Sequence, residues 1–456
     1  MDKKIKTVII TLFTLLVQIS VFGQRIAKDQ AVEDLTILRD NIQQYNPALE
    51  QYNLKFDSLS MEIIQSLQKD SISIFDYFSL VSEICALSNE GHFTLGDWQD
   101  SIHKCIPESK CPYLPVSVKL ISNQLYVWED YSNEKSLNRG DKIISINGKT
   151  TDDIIKELQK VTPSDGDILT FSNKNIEAGF PWLYYFYIEQ TNTFHFEYMR
   201  QNEDVKKADI QALLKLEQIS NFKKYYGNEV NGQETELNAF YELQLKEQYA
   251  VLKLPSFDYR QVNQYKVKSK KMYNSIFKEL IDNRVNHLVV DLRNNTGGRN
   301  EFADDMIPFI LKPINTDLFL KKTISWEGKE RTYEMPKASK YAFQGTVYVL
   351  VNGKTYSAGS SLARFLKEYV DAIIIGEETG TRYEGFSAGS IQSVVLPNTK
   401  LRIGIPRYHI FYPESEIQNT LNRGVLPDYE IVYSFEEIAN EIDLHLEKAL
   451  SLIKTK

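Results

Sequence analysis

The residues able to act as nucleophile, base or orienting acid set what this chain can do. The stretch VYVLVNGKTYSAGSSLARFL, from Val347 to Leu366, carries Thr355, Ser357, Ser360 and Ser361 where a strand gives way to a sharp turn and the first turn of a helix. The strand pattern ends near Asn352 and the helix pattern begins near Ser357. A serine at such a junction is either an N-cap, worth about 1 kcal/mol, or a nucleophile. As a nucleophile its Oγ projects from the turn, with backbone N–H groups beside it to hold an oxyanion. A second stretch, VVDLRNNTGGRNEF, ends a buried strand at Asp291 and Arg293 and sets Gly297 and Gly298 ahead of a helix. Adjacent glycines let the backbone turn tightly and aim N–H groups into a cleft. The loop is therefore an anion cradle or a plain strand-to-helix turn. It lacks the Lys-Ser/Thr ending of a nucleotide loop and the GxGxxG spacing. Candidate bases are the histidines. His92 sits in the turn NEGHFTL, and His409 follows GIPRY. His103 lies by a cysteine loop, His287 precedes a buried strand, and His195 and His445 fit a strand and the last helix.

Those groups need elements to hold them. From Gln24 to about Ala86 the apolar residues recur at three- and four-residue spacing, which predicts helices. From Tyr113 to about Asp209 the runs are short and alternating, as in LPVSVKLI, QLYVWED and DKIISING, which predicts strands. Residues 210–244 are polar and read as a connection. From Gln248 onward strands (YAVLKLPSF, HLVVDLR, TVYVLVN, DAIIIG, IQSVVLP, LRIGIP) alternate with helices (EFADDMIPFIL, AGSSLARFLKEYV), which predicts an α/β fold around a mainly parallel sheet. SFEEIANEIDLHLEKALSLIK reads as one closing amphipathic helix.

Bulk properties narrow the class. With 456 residues, two or three domains are expected. Net charge is -8 with no long basic run, which argues against nucleic acid as a partner. The N-terminus, MDKKIKTVIITLFTLLVQISVFGQ, has the basic start, apolar run and small residue of a secretory signal peptide, with cleavage expected near Gly23. The apolar run is short for a membrane span, so no stable span is expected after cleavage. Of three cysteines, Cys85 reads as buried core. Cys105 and Cys111, in CIPESKC, form a disulfide or stay as surface thiols; the bridge is expected in an oxidising compartment. No Cys/His cluster has zinc spacing.

In chain order, DLRNNTGG, VNGKTYSAGSSLA, IIIGEETG and NRGVLPDYEI resemble the C-terminal processing protease family of serine peptidases, which includes the tail-specific and tricorn-type enzymes. The segment NRGDKIISINGKTTDDIIKELQKV resembles the PDZ domain of such secreted proteases, although the carboxylate-binding glycine loop of a standard PDZ is not evident. With that part, the resemblance spans about Tyr113 to Ile431. It implies a crotonase-like (ClpP/crotonase-type) α/β catalytic core with a PDZ-like mostly-β module and a helical N-terminal segment. The division is then residues 1–23 signal peptide, 24–112 helical segment, 113–209 PDZ-like domain and 210–456 catalytic domain.

In the family's N-x-x-[S/T]-x-S-A pattern the second hydroxyl position is the nucleophile. That position is Ser357, with Thr355 two residues before it, while Ser360 and Ser361 fall inside the helix. One family branch supplies a lysine base after GEPT. The matching loop here is GEETGTRYEGF, where Arg382 stands; arginine stays protonated and cannot be that base. The other branch takes a histidine upstream of the PDZ-like module, in a motif similar to D-G-H-T. NEGHFTL provides His92, departing from the pattern at Glu90 and Phe93; His409 is the spare candidate. The acid that would hold the imidazole tautomer is Glu414, ahead of Glu416 in the same loop, and Asp428 is read as a turn former. The implied oxyanion donors are the N–H groups of Gly298, or its neighbour Gly297, and Ala358. Asp291 is read as structural. Arg382 either binds a substrate carboxylate bidentately or is a surface loop charge. The resemblance implies neither a metal nor an organic cofactor, and a peptide or unfolded protein segment as substrate, in the periplasm or outside the cell. The rival is a catalytically inactive peptide-binding scaffold of the same fold. The sequence carries no sign of an oligomeric state.

Overall fold

The computed structural model describes residues 24–93, 101–200, 203–227, 239–311, 319–418 and 420–455. The signal-peptide reading of residues 1–23 lies outside them. The N-terminal helices follow their apolar spacing. α1 (Lys28–Tyr45) buries Ala31, Leu35, Leu38 and Ile42. α2 (Phe56–Gln65) buries Phe56 and Ile64. α3 (Ile74–Ala86) starts at a Ser73 cap whose hydroxyl accepts from the Asp76 N–H at 3.1 Å. Cys85 is buried in α3, and burial pushes its thiol up to about 12, so it is inert core.

The β-rich module follows. It contains β1 (Val116–Ile121), β2 (Gln124–Asp130), β3 (Lys142–Ile146), α4 (Thr151–Val161), α5 (Leu169–Tyr187), β4 (Thr193–Met199) and β5 (Lys206–Gln211). Its sheet runs β1-β2-β3-β4-β5 and is antiparallel throughout, with Lys149–Thr150 paired to β3. The Asn147-Gly148 turn has both residues at positive φ, 51° and 76°, as a tight hairpin turn requires. The stretch read as a polar connection contains a further helix, α6 (Lys215–Tyr226), with a single buried residue, Gln218. Such a helix has almost no apolar stripe to give it away.

The α/β core contains β6 (Glu242–Leu245), β7 (Tyr249–Lys253), α7 (Ser269–Asp282), β8 (His287–Asp291), β9 (Phe319–Ser325), β10 (Glu330–Glu334), β11 (Thr346–Val351), α8 (Ala358–Val370), β12 (Ile373–Gly376), β13 (Gly385–Val395), β14 (Arg402–Phe411), β15 (Tyr429–Glu430) and α9 (Leu444–Lys454). One sheet runs β6-β7-β8-β11-β12-β15 and is parallel from β7 onward. β8 and β11 are buried along nearly their whole length, which their unbroken apolar runs required. The strands expected at IQSVVLP and LRIGIP are not in that sheet. They form a long β13–β14 hairpin in a second, antiparallel sheet ordered β10-β9-β14-β13. EFADDMIPFIL is not one helix but a turn at Glu301–Asp304 and a 3-10 turn at Ile307–Phe309. Pro308 lacks the N–H and disfavours helix in the residue before it. The closing helix is likewise two, Phe435–Ala439 and α9, each started by its own cap at Ser434 and Asp443.

The hairpin joins core to N-terminus. Val394, Leu396, Leu401, Ile403 and Ile405 bury against Leu35, Leu38, Phe78 and Val81 in one cluster. At its tip the fully buried Asp34 accepts from Asn398 N–H at 2.9 Å, Thr399 N–H at 2.9 Å and Thr399 Oγ1 at 2.7 Å. The expected Cys105–Cys111 bridge is absent: both are free thiols. Cys105 Sγ turns to Thr399 O at 3.5 Å, while Cys111 is fully buried and faces Pro107 O.

Candidate active site

Two parallel strands end side by side, and their following loops make the site. After β8 the chain passes Asn295, Gly297 and Gly298; after β11 it passes Thr355, Tyr356 and Ser357 into α8. Asn295 sews the loops together. Its Oδ1 accepts from Gly297 N–H at 2.9 Å, its carbonyl accepts from Tyr356 N–H at 2.9 Å, and its Nδ2 donates to Leu254 O at 2.8 Å. Thr355 is fully buried and donates to Leu292 O at 2.8 Å, so it braces the turn.

Ser357 occupies the N-cap position of α8 but does not cap it. Its side chain accepts no helix N–H, and its backbone lies at φ 52°, ψ -124°. Other non-glycine residues at positive φ, such as Asp371 and Lys266, sit in the ordinary left-handed well with ψ near 40°. Ser357 lies outside that well, where strain is about 1–3 kcal/mol. A sharp strand-to-helix turn that thrusts a serine hydroxyl outward is the geometry of a nucleophile elbow. The conformation is held by Ser357 N–H donating to Thr381 Oγ1 at 2.7 Å and by Ser361 N–H donating to Ser357 O at 2.8 Å.

The glycines let the loops approach. A Cβ on Gly297 (φ 87°) would stand 2.7 Å from Ser357 Cβ and from the Ala358 nitrogen, and one on Gly298 (φ 130°) only 2.1 Å from Phe257 O. Among the described residues the N–H groups of Gly298 and Ala358 have no hydrogen-bond acceptor, whereas that of Gly297 is taken by Asn295. Of the three expected oxyanion donors, Gly298 and Ala358 are thus the ones left open. Ser360 and Ser361 are buried in α8 and bonded to Thr379 and Tyr412.

His92 comes from the N-terminal segment to the residue beside Ser357. Its ring stacks between Tyr356 (4.5 Å, 28°) and Phe386 (5.1 Å, 10°), and Tyr356 stacks in turn on Phe171 (4.1 Å, 8°). Nδ1 lies 2.8 Å from the Tyr356 hydroxyl. Nε2 has no hydrogen-bond partner among the described residues, so it is not bonded to Ser357 in this state. Burial lowers His92 to about 3, so the ring is neutral at pH 7. The spare base, His409, is buried and bonded to Tyr52 at 2.9 Å instead.

The acids differ from expectation. Glu414 and Glu416 are both exposed, and among the described residues the one side-chain hydrogen bond of His92 goes to Tyr356. The carboxylates behind the site are Asp165 and Glu90, both fully buried. Asp165 Oδ1 accepts from Gly91 N–H at 2.6 Å and from the Tyr356 hydroxyl at 3.4 Å, and Oδ2 accepts from Arg382 N–H at 3.3 Å. Glu90 accepts from Ser387 N–H at 3.0 Å and lies 2.8 Å from Ser387 Oγ. Arg382 is neither a surface charge nor open to a substrate. Its side chain is 0% exposed, 3.5 Å from Glu90, bonded to Asn422 and Asn89 O, and stacked 3.6 Å over the Tyr52 ring. A buried guanidinium needs such partners, and it locks the loop bearing Thr381. Asp428, read as a turn former, takes Ile374 N–H at 2.8 Å. Asp291 is structural, paired with Arg293, which also bridges to Asp443. Tyr356, Asp165 and Glu90 carried no local signal: an aromatic at a strand end reads as core, and Asp165 in PSDGD reads as a turn.

Residues 248–431 match the model of peptidase family S41. The structure is similar to mature CPAF complexed with lactacystin (12% identity, 93% of this chain and 97% of that one, TM-score 0.62) and to mature CPAF (12%, 92% and 96%, TM-score 0.60). At that identity the likeness is one of fold. No curated protein matches the chain.

Proposed function

We propose, for a chain that belongs to peptidase family S41 through residues 248–431 and is a serine-type peptidase, that Ser357 is the nucleophile, His92 its base and the N–H groups of Gly298 and Ala358 its oxyanion hole. The observation that carries this reading is Ser357 itself, at an N-cap position it does not use and in a backbone conformation a cap does not need. His92 Nε2 takes the Ser357 proton as Oγ bonds to the scissile carbonyl carbon. The carbonyl electron pair moves onto oxygen, between the two free N–H groups. Collapse of that intermediate expels the amine, which leaves with the proton from Nε2, and water repeats the steps on the acyl-enzyme. The substrate is a peptide or unfolded protein segment, met after export and removal of residues 1–23. The β-rich module beside the core is read as PDZ-like.

A fluorophosphonate probe tests this on wild type, Ser357→Ala and His92→Ala. Labelling of wild type alone is the expected result. If Ser357→Ala alone loses labelling, the nucleophile stands and His92 is not the base. A second reading, a peptide-binding protein on this scaffold, draws on the missing Ser357–His92 hydrogen bond. Folded wild type that never labels, with or without added peptide, would favour it; apo sites are often looser than loaded ones.

A further inference from the structure

We infer that Asp165, acting through the Tyr356 hydroxyl, sets the tautomer of His92 and takes the orienting role expected of Glu414. The inference rests on the reading of Ser357 and His92 just given. A base at Nε2 must carry its proton on Nδ1. Among the described residues Nδ1 has one hydrogen-bonding neighbour, the Tyr356 oxygen at 2.8 Å, and that hydroxyl can act as either donor or acceptor. If it donated to Nδ1, the imidazole proton would sit on Nε2 and the ring could not accept from Ser357. The second neighbour of the hydroxyl decides the matter. Asp165 Oδ1, an acceptor only when ionised, lies 3.4 Å away. The tyrosine proton therefore points to Asp165, the tyrosine lone pair faces His92, and Nδ1 must donate. Nε2 is left bare, in keeping with its lack of a partner among the described residues.

The order of protons is then Nδ1–H to Tyr356 oxygen, and Tyr356 O–H to Asp165 Oδ1. No proton leaves the relay during catalysis. When Nε2 takes the Ser357 proton, the imidazolium charge is met by a tyrosine oxygen whose own proton is held by an anion. The sandwich of Phe171, Tyr356, His92 and Phe386 fixes both rings in plane. Gly91 N–H, from the residue next to His92, holds the same Asp165 oxygen at 2.6 Å.

Which carboxylate is the anion follows from counting protons. The titratable groups facing this pocket are Asp165, Glu90, Glu384, Arg382, Tyr52, Tyr356 and His409. Ser387 Oγ lies 2.8 Å from Glu90 Oε1 and 3.0 Å from Asn46 Oδ1. Asn46 Oδ1 is identified as oxygen because it also accepts Ala48 N–H at 3.0 Å. One hydroxyl proton cannot serve two acceptors well. A proton on Glu90 Oε1 resolves this: Glu90 donates to Ser387, and Ser387 donates to Asn46. Glu90 is then neutral, and Asp165, which takes the Arg382 backbone N–H and feels the guanidinium charge, is the anion of the pocket. Burial pushes both acids up, Glu90 to about 8, while Arg382 and the Gly91, Arg382 and Tyr356 hydrogen bonds draw Asp165 back toward the ionised form.

The test is the fluorophosphonate labelling rate from about pH 2.5 to 9, with brief exposure to each pH, for wild type, Tyr356→Phe and Asp165→Asn, with Ser357→Ala and His92→Ala as blanks. Tyr356→Phe keeps both ring stacks and removes only the hydroxyl. It is expected to label at least about tenfold more slowly, with its melting temperature within a few degrees of wild type and its acid limb displaced. Labelling of Tyr356→Phe at the wild-type rate across the range overturns the relay while the blanks leave the Ser357 reading intact. Unlabelled wild type overturns both. Ring nitrogen shifts of the wild-type protein with ¹⁵N-histidine give a readout independent of any variant's folding. A protonated Nδ1 and bare Nε2 on His92 are expected, and a protonated Nε2 overturns the relay.

Discussion

His92 and Glu90 are two residues apart, and burial moves them in opposite directions. For His92 the neutral ring is favoured, down to about 3. The base form of the free enzyme is thus present throughout the mildly acid range. Fluorophosphonate labelling of wild type, with brief exposure to each pH, should stay nearly flat from pH 7 to about pH 5 and fall only as pH nears 3. A limb centred near the ordinary histidine value of about 6.5 would place the base elsewhere. For Glu90 burial favours the protonated acid, with a folded value of about 8 against 4.5 unfolded. Its stabilising contribution is complete below about 4.5 and is lost as pH rises toward 8. Gln in its place reproduces the neutral acid, accepting Ser387 N–H and donating to Ser387 Oγ. Urea midpoints should show Glu90→Gln gaining on wild type between pH 5 and pH 8.

The turn into α8 and the loop after β8 work as one unit, because Asn295 bonds across them and Gly297 touches Ser357. Gly297→Ala puts a methyl carbon 2.7 Å from the Ala358 nitrogen. It is expected to cut the labelling rate by about a hundredfold or more, the scale of a lost oxyanion donor, and to lower the melting temperature. These two loops were the legible part of the site, since each is written in consecutive residues between an apolar strand and a helix. Arg382 and the acids were not legible. A charge in a glycine-containing loop gives no local hint of burial, and Arg382 is buried only because Asp165 and Asn89, 217 and 293 residues away, converge on it. Likewise the alternating runs IQSVVLP and LRIGIP announced strands but not their sheet. Partnership is decided by long-range packing, in this case by α1 covering the hairpin.

The proposed base and nucleophile, His92 and Ser357, come from segments far apart in the chain, and the β13–β14 hairpin packs the first of those segments onto the core. The helical segment that carries His92 rests on that hairpin, and Asp34 pins the tip through two backbone N–H groups and a hydroxyl. Asp34→Ala leaves those half-buried donors without their acceptor, a cost of up to about 1–3 kcal/mol in all because water can reach them in part. It should destabilise the contact between residues 24–93 and the core first. Hydrogen exchange is expected to rise in α1 and at the hairpin tip before the parallel sheet, and labelling of Ser357 to fall with it. Unchanged exchange in α1 would show that this packing does not depend on Asp34.

The contact between His92 and Tyr356 spans 264 residues of sequence. Under the proposed assignment a ribosome making this chain delivers His92 early and Ser357 late, so the proposed site cannot form while the segment between them is emerging. That site would be complete, and the chain able to cut, only once both segments have been synthesised and the hairpin has packed against the first of them.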